Sequence, residues 1–154
     1  MGKSEIQKKV RHLLTEFLQK NNYRKTSERY KILELIYDLE SGHYDVDTLY
    51  KILRKRGVYI SKATVYNTLE LLLDAGLIRK HYFSRNSSFY EKRFFSAAHH
   101  HLIILNEEGA LQEIKEFCDP RIDAIQQDLE KIFNVKIHDS DLYFYATAKT
   151  KIDE

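Results

Sequence analysis

Residues 61–93 read SKATVYNTLELLLDAGLIRKHYFSRNSSFYEKR, and the fold turns on this stretch. Ser61 is a helix N-cap type. Val65, Leu69, Leu72 and Leu73 follow at three- to four-residue spacing, which predicts a helix with one buried stripe that stops near Gly76. Leu77–Phe83 and Ser88–Arg93 read as strands around the polar turn from Ser84 to Ser87. Ser61, Lys62, Thr64, Tyr66 and Asn67 fall off the apolar stripe near the helix start. Hydroxyl, ammonium and amide groups at the start of an exposed helix are the types that meet phosphates and base edges.

Upstream, three more helices are expected. Residues 5–20 carry Ile6, Val10, Leu13, Leu14, Phe17 and Leu18 at helical spacing and stop at Asn21-Asn22. Arg24-Lys25 is a basic linker, and Thr26 or Ser27 caps a helix carried by Tyr30, Leu33, Ile36 and Tyr37. Ser41-Gly42-His43 breaks it. Asp45 or Asp47 caps a third helix with Leu49, Tyr50, Ile52 and Leu53, which ends at Gly57. Helices followed by a hairpin, in a strongly basic setting, predict a winged helix-turn-helix whose last helix enters the major groove.

Downstream the rhythm and the charge both change. Residues 1–94 hold 19 Lys and Arg against 11 Asp and Glu, whereas residues 95–154 hold 6 against 12. A net of +8 beside a net of −6 points the first half at a polyanion. His101–Asn106 and Ala110–Ile114 read as strands around Glu107-Glu108-Gly109, Pro120 opens a helix to about Phe133, and Leu142–Ala148 reads as a third strand. The expected class is α+β: a winged helix-turn-helix domain over 1–94 and a small α/β domain over 95–154. The second unit is too small to stand comfortably alone, so a homodimer is expected.

Composition narrows the functional classes. The 154 residues are 43% hydrophobic and 31% charged, ordinary for a globular protein. No apolar run approaches the ~18 residues of a membrane span, and the N-terminal stretch has no apolar signal region. One cysteine, Cys118, excludes an intrachain disulfide and every Cys-rich zinc site, which makes a reducing cytoplasm the default.

His99-His100-His101 is the chemical signal. In an extended segment His99 and His101 share one face and His100 takes the other. Two imidazoles at this spacing chelate one ion, Glu91 and Glu113 offer carboxylates, and His43 offers a further imidazole. Such a set, without sulfur, suits Fe²⁺, Mn²⁺, Co²⁺ or Zn²⁺. A metal-dependent hydrolase using the histidines is the reading from another class, although the sequence has no HExxH pattern.

Thr26-Ser27-Glu28-Arg29, His43, Ala63-Thr64-Val65-Tyr66-Asn67-Thr68-Leu69, Ala75-Gly76-Leu77, Tyr90-Glu91, His99-His100-His101-Leu102-Ile103, Gly109 and Glu113 occur in an order that resembles the ferric uptake regulator (Fur) family. The resemblance spans about residues 10–148. It implies a cytoplasmic, dimeric, metal-responsive transcription regulator, usually a repressor, and not an enzyme. It implies a regulatory metal site at His43, Glu91, His99, His101 and Glu113 that takes one divalent ion per protomer. Glutamates at 91 and 113 resemble the iron-type members, so Fe²⁺ is the expected ion, with Zn²⁺ or Mn²⁺ as substitutes. A second family site falls on Ala98, His100, Asp123 and Ser140, of which His100 and Asp123 are ligand types.

The expected partner is double-stranded operator DNA, with Arg24 reaching the minor groove and Ser61, Lys62, Thr64, Tyr66 and Asn67 on the recognition helix. Zinc, manganese, peroxide and haem are the family's other signals, and Cys118 is the one residue for a haem thiolate. The two Cys-x-x-Cys pairs that hold a structural zinc in many members have no counterpart here. Asn67 stands where many relatives carry arginine. Asparagine pairs with adenine rather than guanine, so a different operator is expected.

Overall fold

Four helices and a hairpin build the first of two compact units, Met1–Ser96 and Ala97–Glu154. The computed structural model describes residues 2–40, 42–84, 87–93 and 100–149. Helix α1 (Lys3–Lys20) buries Val10, Leu14 and Leu18, and α2 (Ser27–Asp38) buries Tyr30, Ile32, Leu33, Leu35, Ile36 and Tyr37. Thr26 occupies the N-cap position of α2 without a side-chain cap bond. Helix α3 (Val46–Lys55) is capped by Asp45, whose carboxylate accepts the Thr48 N–H at 2.7 Å. Helix α4 (Lys62–Asp74) is capped by Ser61, whose Oγ accepts the Thr64 N–H at 3.1 Å.

The stripes of these helices meet in one core, which also takes Leu77, Ile78 and Tyr90 from the hairpin. Gly76, at φ +70°, turns the chain out of α4 into strand β1 (Ile78–Ser84), a backbone state that costs a side-chain-bearing residue more. Strand β2 (Ser87–Lys92) pairs antiparallel with β1, with Ile78 opposite Lys92 and His81 opposite Phe89. This is the expected winged helix, each wing strand shifted by a residue at its ends.

The second unit is a three-stranded sheet in the order β4-β3-β5 with one helix. Strand β3 (His100–Leu105) turns at Gly109 (φ +83°) into antiparallel β4 (Leu111–Phe117). Asn106 Oδ1 accepts the N–H groups of Glu108 and Ala110 and so fixes that turn. Helix α5 (Pro120–Phe133) carries the chain to β5 (Tyr143–Thr147), which pairs parallel with β3. Pro120 at the helix start and the Asp119 carboxylate on the Arg121 N–H set the α5 boundary. Arg121 also binds that carboxylate through its guanidinium, and these side-chain bonds, with the backbone one, hold the Asp119 pKa down at about 2. The expected stripe of Ile122, Ile125, Leu129 and Ile132 is present, but no residue of α5 is buried.

Candidate metal centre and nucleic-acid interface

An isolated bridge joins the α2–α3 connection to the wing. Tyr44 N–H donates to the Tyr90 carbonyl at 3.0 Å, and Tyr90 N–H donates back at 2.8 Å. This pairing sets His43, one residue before Tyr44, beside Glu91, one residue after Tyr90. His43 Nε2 lies 3.2 Å from Glu91 Oε2, with His43 only 6% and Glu91 15% exposed at the side chain. The hairpin register supplies a third group. His81 is opposite Phe89 and therefore diagonal to Glu91 on the same face, and its Nε2 lies 2.6 Å from Glu91 Oε1.

Aromatic rings pack around both histidines. His81 stacks on Phe83 at 5.3 Å with planes 4° apart, and His43 meets both edge-on at 5.3 and 5.0 Å. The ligand atoms of His43, His81 and Glu91 all lie within 4.8 Å of one another. Burial pushes the Glu91 carboxyl up, hydrogen bonds from His43 and His81 pull it down, and the imidazoles prevail, so its pKa lies below the ordinary carboxylate range. A half-buried carboxylate among imidazoles, with no thiolate, is a donor set that fits a borderline divalent ion.

In the second unit, β3 places His101 opposite Glu116 and His100 opposite Phe117. Both histidines are buried, and His101 Nε2 lies 4.0 Å from Glu116 Oε1. Glu113 is opposite Ile104, which puts it on the His100 face, exposed and 3.7 Å from Lys115. The structure therefore brings Glu116, and not Glu113, to His101. In this register Glu113 stands an odd number of residues from Glu116 along β4, and the alternation of a strand turns it to the other side of the sheet. Asp123 lies exposed in the first turn of α5, and among the described residues no ligand group joins it to His100. His99 lies outside the described residues.

Sequence reading misses His81 and does not place Glu116 beside His101. Counting the hairpin register outward from the Ser84–Ser87 turn would pair His81 with Tyr90 and turn it away from Glu91; the irregularity between Tyr82 and Ser84 shifts the register by one and brings His81 to the Glu91 face.

The candidate DNA face is the start of α4. Ser61, Lys62, Tyr66 and Asn67 are exposed, Tyr66 at 48%. Thr64 is half-buried, and its hydroxyl lies 2.8 Å from Ser61 Oγ, which couples these two into the helix cap. Lys62 pairs with Asp47 in the first turn of α3. Arg24 is exposed in the α1–α2 linker, where its carbonyl accepts Arg29 Nη1.

The Ferric uptake regulator family profile matches residues 20–145. This chain belongs to the ferric uptake regulator family. The Fur relationship is also plain in individual proteins. A ferric uptake regulation protein from Neisseria meningitidis is 31% identical over 128 residues, covering 83% of this chain and 85% of that protein. The Vibrio cholerae ferric uptake regulator structure is 33% identical, covers 85% of this chain and 96% of its own, and superposes with a TM-score of 0.66. The Pseudomonas aeruginosa regulator with manganese is 29% identical, covers 88% and 98%, and gives a TM-score of 0.74. The protein is thus a metal-responsive, DNA-binding transcription regulator of the Fur family and not an enzyme. The hydrolase alternative gains no support. Among the described residues no helix is long and apolar enough to cross a membrane.

Proposed function

We propose that this Fur-family regulator is an iron-responsive repressor that acts as a homodimer on palindromic operator DNA. The observation that carries the reading is the half-buried His43–Glu91 pair at the root of the wing, one residue on either side of the Tyr44–Tyr90 bridge. His43 and Glu91 hold one divalent ion per protomer from the winged-helix unit, and His99 and His101 hold it from the second unit. The ion supplies a cross-link between residues far apart in sequence, Fe²⁺ in the cell, with Zn²⁺ or Mn²⁺ accepted by the same donors. Iron is favoured by the relatives named as ferric uptake regulation proteins and by glutamate at position 91. Glu116 is better placed than Glu113 to serve beside His101, and a second site at His100 and Asp123 is not part of this reading.

The chain's own residues then do the work on DNA. Lys62 and Arg24 meet phosphates or the minor groove, while Tyr66 and Asn67 read base edges from α4. Ser61 and Thr64 fix the helix start that presents them. Dimer partners must offer two such helices about one helical turn apart, or a multiple of it, and an ion that ties the two units of each protomer together selects that arrangement.

DNA selection from a random pool tests this, run with Fe²⁺ under anaerobic conditions, with Mn²⁺, with Zn²⁺ and with chelator. A two-fold-symmetric site enriched only with metal, most strongly with Fe²⁺, is expected. Equal enrichment of that site in chelator overturns the metal response, and enrichment with Zn²⁺ alone overturns the assignment of iron.

A further inference from the structure

We infer that His81 is a positioning residue of the metal site: it holds one oxygen of Glu91 and leaves the other as a single, aimed ligand. The inference rests on the reading of His43 and Glu91 as ligands. The two carboxylate oxygens are divided between two imidazoles, Oε1 to His81 at 2.6 Å and Oε2 to His43 at 3.2 Å. The shorter contact is made by the more deeply placed ring, since His81 is 1% exposed.

His81 cannot readily leave that position. It sits within a strand, its ring lies parallel to Phe83 at 5.3 Å, and the edge of His43 closes against it. His43 is different. It precedes the Tyr44 bridge, outside any strand, and its contact with Oε2 is the longer one. When His43 Nε2 and Glu91 Oε2 turn from each other to a shared ion, His81 keeps Oε1 occupied by its Nε2–H. The carboxylate then binds through one oxygen. Without His81, a buried oxygen loses its donor and the carboxylate is free to rotate about its own bond. Ligands oriented in this way by an outer hydrogen bond characteristically lose ~10–100-fold in metal affinity when the orienting group is removed.

Reach distinguishes this role from bulk packing. The side-chain amide nitrogen of glutamine extends about as far as histidine Nε2, whereas that of asparagine falls short at about the place of Nδ1. The test measures Co²⁺ affinity by competition with a chelator, and counts imidazole ligands by X-ray absorption, in wild type, His81→Gln and His81→Asn. Expected are affinity within about threefold of wild type for His81→Gln, a loss of ~10–100-fold for His81→Asn, and one imidazole count in all three. Wild-type affinity in His81→Asn, or equal losses in both variants, overturns the positioning role. One imidazole fewer in either variant makes His81 a ligand and overturns it too. His43→Ala and Glu91→Gln serve as controls: if both bind Co²⁺ as wild type does, the underlying site assignment fails, a different outcome from failure of His81 alone.

Discussion

Lys62 stands at the first position of α4, exposed, with its ammonium on the Asp47 carboxylate. That hydrogen-bonded pair raises the Lys62 pKa and lowers that of Asp47. An exposed pair of this kind adds little to stability, so its consequence lies in the field it presents. To reach a phosphate, Lys62 must exchange Asp47 for it, and Asp47 then faces a polyanion. Asp47→Asn is therefore expected to tighten binding to DNA of any sequence. Lys62→Ala is expected to weaken it and to flatten the dependence of log K on log salt by roughly 0.9, one phosphate contact. Fluorescence anisotropy across a salt series measures both, and coincident curves for the two variants and wild type would remove Lys62 from the interface. Residue types are legible here and pairings are not. Lys62, Tyr66 and Asn67 leave the apolar stripe, so their exposure follows from helical arithmetic. That Lys62 meets Asp47, that Ser61 meets Thr64, and that His81 meets Glu91 depends on where other elements fall.

Elements are legible where one physical cause dominates. Stripes at helical spacing place α1 to α4 because each stripe has the others to pack against, and Gly57 and Gly76 end helices with φ values of +77° and +70°. Strand ends differ from the sequence expectation by one to three residues because pairing, not composition, fixes where a ladder stops. Helix α5 is the instructive element. Its stripe is plain in the sequence, yet Ile125, Leu129, Ile132 and Phe133 remain 55%, 40%, 71% and 66% exposed. An apolar face at positions i, i+4, i+7 and i+8 on a helix asks for cover, and a second copy related by a two-fold axis supplies the same face in return. Replacing Ile132 and Phe133 together by Asp should convert a dimer to a monomer in sedimentation velocity, with the thermal melt of the winged-helix unit unchanged. A wild-type protein that sediments as a monomer at tens of micromolar overturns the reading of this face.

At the scale of the whole chain, a half of net charge +8 precedes a half of net charge −6. The basic half is the one expected to meet the DNA phosphates. The acidic half holds charge of the DNA's own sign and is expected to be repelled by it. This division of labour is legible in the residue counts alone, because adding charges needs no fold. What counting cannot give is the link, and the proposed link is the ion shared by His43 and Glu91 with His99 and His101. An ion that binds the DNA-competent arrangement more tightly by a typical coupling of ~1–3 kcal/mol raises operator affinity about 5–150-fold. Thermodynamic reciprocity then requires operator DNA to tighten metal binding by the same factor. Co²⁺ titrations with operator, with scrambled DNA and without DNA measure that factor directly. Replacing His99 and His101 by alanine is expected to abolish it while leaving the dimer and salt-sensitive non-specific binding in place. Equal Co²⁺ affinity with and without operator in the wild type would falsify the coupling and leave the His43–Glu91 site a purely structural role.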